Sequence, residues 1–548
     1  MTSDAVILDG YVDEPACLGV PPYISPYIRY CAGVLAERGY TVRYTTIDAV
    51  RKEPLALRTF SDAALLLVIA GVTVPGKYLA GTPATLTELS QIGVQIRGPK
   101  KVLGGPIGFG YAAEGGRKAV RAAAAGFDHL LQGSPSAALD SLLGGGEPAG
   151  QADYTAIDRW SVLGAGVVQQ HPFFPRVMIE LETAQGCSRA VTGGCSFCTE
   201  PFYGPPRYRS AAGVAAEVGA LSAAGARHFR LGRQPDLLAY GSTGGAEFAR
   251  PRPERIEALF TGIRAAAPDL LTLHIDNVNP GTIVHYEEES RAALAAIVAG
   301  HTPGDVAAFG METADPAVIR ANNLKALPDD VFRAIEIVNE IGGGRRNGVP
   351  DLLPGLNFVC GLAGETAQTY DKNRAFLERV LASGLMVRRV NIRQLMPFAS
   401  TRAYDENTLG QQDAAFRAFK EWTRTKFDLP MLQRVFPAGT VLRDVGIEVS
   451  GRTSFGRQMG SYPILVGFPL ALPTGAVTDA VVVGWGMRSI TALPAPIEIN
   501  TLPHAAIGHI PGIGKKILPK VLAKRPFADL AAFRRVAGEA PLDDYFSF

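Results

Sequence analysis

Residues 176–210, RVMIELETAQGCSRAVTGGCSFCTEPFYGPPRYRS, set how the rest of the chain is read. RVMIELETAQG has the apolar pattern of a buried strand, and it runs straight into Cys187, Cys195 and Cys198, spaced C-x7-C-x2-C. Three thiolates on one loop do not complete the four-ligand set of a structural zinc site. Cys360 is the only later cysteine, and it sits inside an apolar strand pattern. Three soft ligands that leave one position open suit a [4Fe–4S] cluster whose remaining iron takes a small molecule. Gly186, Gly193 and Gly194 let the loop wrap closely around such a group. The competing reading is a zinc knuckle that recruits a distant histidine, but no Cys or His flanks the triad at finger-like spacing.

Outward from this loop the pattern repeats. ARHFRLG, LLTLHID, VAAFGMET, LLPGLNFVCG and VRRVNIRQLMP read as further strands, with helical patterns between them. Six βα units in tandem predict an open barrel over 170–405. Upstream, AVILDGY, TVRYTTID, AALLLVIAG, KKVLGGPIG and FDHLLQGS read as strands. Helices are expected between them over ISPYIRYCAGVLAERG, TPATLTELSQIG and RKAVRAAAAG (117–126). That alternation predicts a doubly wound, Rossmann-like parallel sheet over 1–150, closed by a Gly/Pro-rich linker, GGGEPAGQAD (144–153). Ligands in such sheets lie at the carboxyl ends of the strands. The candidate lips are therefore 9–18, 71–76, 104–108 and 132–134. Downstream, 406–430 is a helical connector containing QQDAAFRAFKEWTRTKFD. TVLRDVGIEVSG, SYPILVGFPL and AVVVGWG predict a small antiparallel barrel (TRAM- or OB-like) over 431–500. Residues 501–548 have a helix–hairpin–helix pattern with Gly512 and Gly514 in the turn.

The bulk numbers narrow the class. At 548 residues the chain is too long for one core. No apolar run is long enough to span a bilayer, and the acidic start MTSDAVILDGYVDEP lacks a signal peptide's basic region, so a cytoplasmic enzyme is expected. A net charge of +2 gives no global pull toward nucleic acid. Cys17, Cys31 and Cys360 are scattered through apolar segments and read as packing residues.

The cysteine stretch resembles the radical S-adenosylmethionine (radical SAM) superfamily, with seven residues in the first gap where that family usually has three. Phe197 holds the place of the aromatic before the last cysteine, beside the cluster and adenine. RYRS, GMETADPAVIRANN, FVCGLAGET and MPFASTRAY resemble later family motifs. By that resemblance Glu312, Gly361 and Leu362 contact S-adenosylmethionine. RLGRQPDL stands where the family has a GGE motif without matching it, so Arg233 and Asp236 are assigned to methionine by position alone.

Radical SAM enzymes with an N-terminal doubly wound domain include methylthiotransferases, which need three more cysteines there, and cobalamin-dependent methyltransferases. Only Cys17 and Cys31 precede Cys187, so a second cluster lacks ligands. The resemblance therefore implies cobalamin, with Asp9, Gly10, Leu18, Val72, Thr73, Val74, Gly104, Gly105, Pro106, Gln132 and Gly133 as its contacts. The competing reading is a degenerate sheet that only packs on the barrel. No His precedes His129, so no histidine from these loops is expected on cobalt. The opening ILDGYVDEPACLGVPPYISPYIRY, the domain order and TSFGRQMGSYPILVG look like an archaeal group of these methyltransferases. One member methylates the Cα of a glutamine in methyl-coenzyme M reductase. The implied chemistry is C-methylation of an unactivated sp3 carbon. The implied partners are a Gln-containing segment of the reductase alpha subunit and a one-electron donor such as flavodoxin or ferredoxin. The rival is an enzyme that modifies tRNA or another nucleic acid, methylthiotransferase-like or a base methyltransferase, supported by IPGIGKK with Lys515, Lys516, Lys520 and Lys524.

Overall fold

A computed structural model of the chain describes residues 3–14, 17–18, 22–71, 81–121, 125–151, 153–243, 247–346, 348–539 and 542–548. Near the N-terminus the strands are β1 (Ser3–Asp9), β2 (Tyr23–Ile24), β3 (Tyr40–Thr46), β4 (Leu65–Ile69), β5 (Lys100–Gly104) and β6 (His129–Leu130). Five of them form a parallel sheet in the order β3-β1-β4-β5-β6. Ile7 lies between Tyr44 and Leu67 in register. The continuous apolar run Leu65–Ile69 is fully buried, as a strand covered on both faces must be. The order is that of a flavodoxin-like sheet, whose switch point lies between β1 and β4.

The strand left out, β2, pairs with the barrel. Its register is Tyr23 to Met178 and Ile24 to Ile179. The barrel strands are β7 (Met178–Glu182), β8 (His228–Arg233), β9 (Thr272–Ile275), β10 (Asp305–Glu312), β11 (Leu352–Cys360) and β12 (Arg389–Gln394). They form two parallel sheets, β2-β7-β8-β9 and β10-β11-β12, joined by a single bridge between Asn277 and Ala308. The result is an open arc of the six expected strands plus one borrowed from the first sheet's segment.

A buried ion network fastens the same junction. Arg29, on the helix Pro26–Glu37, pairs with Glu217 of the barrel helix Ala211–Ala223 at 2.7 Å. Arg209 also pairs with Glu217, and with Asp158 at 2.8 Å. Asp158 lies on the helix Tyr154–Leu163, just after the residues read as a linker. That stretch is structured too: Ala149–Gly150 pairs with Gln132–Gly133.

The helix expected over 117–126 does not form among its described residues; 122–124 lie outside them. Its backbone is used elsewhere. Val120 bridges Tyr111, and the N–H groups of Gly116 and Ala119 donate to the carbonyls of Leu395 and Pro397 at 2.8 Å each. The segment thus lies along the chain that leaves β12.

The small barrel is closed and contains β13 (Val441–Val449), β14 (Ser454–Arg457), β15 (Leu465–Phe468), β16 (Val477–Trp485) and β17 (Ser489–Ala495), in the order β13-β14-β15-β17-β16. It is not purely antiparallel, because β15 and β17 run parallel. An odd number of strands cannot close into a ring with every neighbour reversed. The tail helices His504–Ile507, Leu518–Lys524 and Leu530–Ala537 pack Ile507, Val521 and Phe533 against Val481 and Leu493 of this barrel. The connector is a helix Asp413–Trp422, a π-helical turn Thr423–Asp428 and a helix Leu429–Val435. No helix among the described residues is long and apolar enough to cross a membrane.

Candidate functional site

The cysteine loop leaves the carboxyl end of β7 and is pinned from several sides. The Gly186 N–H donates to Glu200 Oε1 at 2.7 Å, and the Cys187 N–H to the Gly204 carbonyl at 3.0 Å. Gly194 has φ +66°, and a Cβ there would sit 2.4 Å from Pro201 Cγ, so only glycine fits. Ser196 bonds through both backbone and side chain to Asn322, and Asn323 donates to the Thr192 and Gly194 carbonyls. Both asparagines come from the segment that follows β10, so the loop and that turn form one unit.

Cys195, Phe197 and Cys198 line a cavity of about 1090 Å³ inside the barrel arc. Burial raises the affinity of all three thiols for their protons, while the Lys325 ammonium acts the other way on Cys187 and Cys195. Burial works against the charge on Lys325 as well, but Cys195, Cys187, Asp236 and Glu312 outweigh it and leave its pKa raised. Thiolates here need compensating positive charge, which a bound metal supplies. Among the described residues no three His, Cys, Asp or Glu side chains converge on one ion. The donor set, three thiols on one loop, fits a cluster of several irons better than a single zinc.

Glu312 ends β10 with φ +60°, a strained conformation for a non-glycine residue and one concentrated at functional sites. Its carboxylate folds back over Gly310, where a Cβ would meet Oε1 at 2.6 Å. Burial pushes its pKa up to about 7, against Lys325 and Arg393. Gly361 has φ +101°, and its N–H donates to Glu365 at 2.9 Å; Leu362 packs in an apolar cluster with Cys195 and Phe197 beside it.

Arg233 and Asp236 are both held by neighbouring protein groups. Arg233 is fully buried and pairs with Glu200 at 3.0 Å, the same carboxylate that holds Gly186. Asp236 accepts from the Leu238 and Asn279 N–H groups and the Thr282 hydroxyl.

At the N-terminal sheet, Asp9 is buried and accepts from the Tyr11 N–H at 2.8 Å and the Tyr44 hydroxyl at 2.9 Å. Burial pushes its pKa up to about 7. The Gly10 N–H donates to the Ile69 carbonyl, and the Gly104 carbonyl accepts from Ala70. At Gly105, φ +102°, a Cβ would lie 2.4 Å from the Ala70 carbonyl oxygen. Pro106 is buried. Gln132 and Gly133 are exposed. Leu18 pairs through its backbone with Asp13, and its side chain is outside the described set. Val72, Thr73 and Val74 lie outside the described residues. The carboxyl ends of this sheet face the cysteine loop: Phe109 stacks edge-on to Tyr203 at 5.5 Å, and Glu114 and Gly115 line the cavity.

The sequence reading missed Lys325, a single lysine in an apolar context just past the Glu312 motif. It also missed the cavity's other end. There Tyr462, from the loop between β14 and β15, donates its hydroxyl to Asp276 at 2.8 Å, and Ser461 accepts from Arg230 and bonds to His274. The small barrel thus stops the floor of the large one.

This architecture has a solved counterpart. The chain is similar in fold to a radical S-adenosylmethionine methyltransferase, TsrM, from Kitasatospora setae, solved with tryptophan substrate and an S-adenosylmethionine analogue, at TM-score 0.51 and 15% identity over 74% of this chain and 76% of that one. No protein-family model matches. In sequence it is 40% identical over 542 residues to an uncharacterized protein of Archaeoglobus fulgidus, covering 98% of both chains. It is 42% identical over 508 residues to an uncharacterized protein of Methanocaldococcus jannaschii, covering 90% of this chain and 93% of the other. The chain belongs to the family of these two archaeal proteins.

Proposed function

We propose that this protein is a cobalamin-dependent radical SAM methyltransferase. The observation that carries the reading is that Cys195 and Cys198 of the cysteine loop, Lys325 and the strained Glu312 line one cavity, toward which the carboxyl ends of a flavodoxin-like sheet are turned. Cys187, Cys195 and Cys198 would hold a [4Fe–4S] cluster, and the loops after β1, β4 and β5 would hold cobalamin. Together with S-adenosylmethionine these groups supply hydrogen abstraction from an unactivated sp3 carbon and delivery of a methyl group to it. The protein supplies placement and dryness. Phe197, beside the thiols, offers an apolar face for adenine. Glu312 accepts the amino or ribose part of S-adenosylmethionine, and Lys325 balances the negative charge of the thiolates. The aromatic contact of Phe109 with Tyr203 and the segment 111–120 help keep solvent from that end.

The substrate that the sequence resemblance supports is a Gln-containing segment of the methyl-coenzyme M reductase alpha subunit, methylated at Cα before it folds. The second reading, nucleic acid, is favoured by the exposed Lys515, Lys516, Lys520 and Lys524. The test is an anaerobic assay with reduced flavodoxin or ferredoxin, a Gln peptide and a tRNA pool, read by mass spectrometry. One added methyl on Gln supports the peptide. Methylated tRNA with an untouched peptide transfers the activity to the second reading. Protein that never takes up iron or cobalamin sinks the class itself.

A further inference from the structure

The cavity does not end at the cysteines. Barrel enzymes keep their chemistry at the carboxyl ends of the strands, and the opposite end is normally packed for stability. Here the cavity continues to the opposite end. Strand β12 runs along its wall. Gln394 and Leu395 line it at the upper end, beside Gly115, and Arg388 and Arg389 at the lower. That strand alone spans roughly 17 Å. The lower end is closed by the connector and the small barrel.

Its lining there is lopsided in charge. Arg388, Arg389, Lys420, Arg424, Arg457 and Arg488 face it with two carboxylates, Asp428 and Glu448, and Glu448 is paired with Arg457 at 2.9 Å. Asp428 is paired with Arg488 at 3.3 Å. The side chains of Arg388, Lys420 and Arg424 have no ion pair or hydrogen bond among the described residues, and Arg424 Nε is buried without an acceptor. Aromatic faces lie beside three of the cations: Arg388 is 4.8 Å from the Phe436 ring, Arg389 4.5 Å from the Tyr462 ring and Lys420 5.4 Å from the Phe416 ring. Burial and neighbouring cations depress Lys420, and push Arg388 down to about 9.

A second, independent sign is local. Arg424 and Asp428 are presented by the π-helical turn Thr423–Asp428, a rare element that occurs most often at functional sites. Uninterrupted α-helix through 413–435 would carry these side chains around its axis differently. Arg424 is half-buried with its Nε enclosed and unpaired, an arrangement that an anionic ligand would satisfy.

We propose that the lower end of the cavity is an anion-binding subsite, built by Arg388, Lys420 and Arg424, that takes a carboxylate or phosphate group at the far end of an elongated substrate. The anionic group anchors in the floor while the reacting carbon lies toward the thiols. The inference deepens the proposed methyltransferase reading by naming a feature of its substrate, but the binding itself requires no turnover.

The experiment is calorimetric titration of the full-length, cofactor-loaded protein with inorganic phosphate and, separately, with glutarate. Saturable binding of one probe identifies which anion the subsite prefers. Arg424→Gln with Lys420→Gln should weaken it at least tenfold, and Arg424→Lys should largely restore it. The melting temperature of the Gln variants without ligand should hold or rise, because half-buried like charges have been removed. Absence of binding by either probe at millimolar concentration overturns the proposal. So does equal binding by wild type and the double variant, or a fall in melting temperature with binding unchanged. Should the double variant fail to fold, the Arg424→Gln single variant carries the same test. Iron content and S-adenosylmethionine binding, measured on the same samples, report on the methyltransferase reading separately.

Discussion

The loops of the N-terminal sheet and the interior of the barrel both carry polar residues and glycines where a ligand is expected, but they handle them in opposite ways. In the sheet, the chain satisfies its own groups: Asp9 is held by Tyr11 and Tyr44, and Gly105 is pressed on Ala70. In the barrel, Lys420 and Arg424 line the cavity without an ion pair or hydrogen bond among the described residues, and Glu312 accepts a strained backbone to reach it. A polar residue whose needs are met by its neighbours is explained by folding. One left unmet inside a cavity asks for a ligand. By that criterion the barrel is the part of the molecule most strongly shaped by what it binds.

Four experiments press on this contrast. The largest effect belongs to the thiols. Changing Cys187, Cys195 and Cys198 together to Ala should abolish iron content, the iron–sulfur charge-transfer absorption and all cleavage of S-adenosylmethionine; a variant that retained four irons would place the cluster elsewhere. Next is the buried junction. Glu217→Ala strands Arg29 and Arg209 without their shared carboxylate and should cost about 3–5 kcal/mol in denaturant unfolding. A cost near zero would mean that the two regions are held together by apolar packing alone.

Third, Glu312→Gln should weaken S-adenosylmethionine binding about tenfold, roughly 1.4 kcal/mol, with little change in melting temperature. Lost stability with unchanged binding would move Glu312 into the satisfied class. The smallest effect is at Asp9. Its folded pKa of about 7 lies above the ordinary 3.8, so the unfolded chain ionises first. Stability therefore falls as pH rises from about 4 to 7 and is level above that. Asp9→Asn removes this loss and should melt about 2–3 °C above wild type at about pH 8, with no difference below about pH 4. If it instead lowers cobalamin affinity at unchanged stability, Asp9 is a ligand contact and the contrast between the two regions fails.

Much of the architecture was legible because its signals are local. Six strand patterns gave the barrel, and the run Leu65–Ile69 could only be a strand covered on both faces. The cysteine loop announced itself by spacing. What escaped was non-local. RKAVRAAAAG has strong helix formers, yet its described backbone pairs with Tyr111 and Pro397, a demand that propensity cannot see. The two-residue strand Tyr23–Ile24 has no periodicity to detect. QQDAAFRAFKEWTRTKFD reads as one helix, and nothing in its composition marks the π-helical turn that aims Arg424 into the cavity. Arg233 was placed by motif position, and its pairing with Glu200 was not visible in the sequence.

Strand β2 also has a bearing on how such a chain comes to exist. Its hydrogen-bond partner is Met178–Ile179, so the segment around residue 24 leaves the ribosome long before the strand that completes it. Until then Tyr23 and Ile24 have no sheet to join, and the ion network at Arg29 lacks its carboxylate. The flavodoxin-like part therefore cannot reach its final state as an autonomous early product. Nor can it be exchanged between proteins by a clean cut near residue 150, because such a cut would remove a strand from the recipient's barrel. Inheritance of the two parts is coupled through the two-residue strand Tyr23–Ile24.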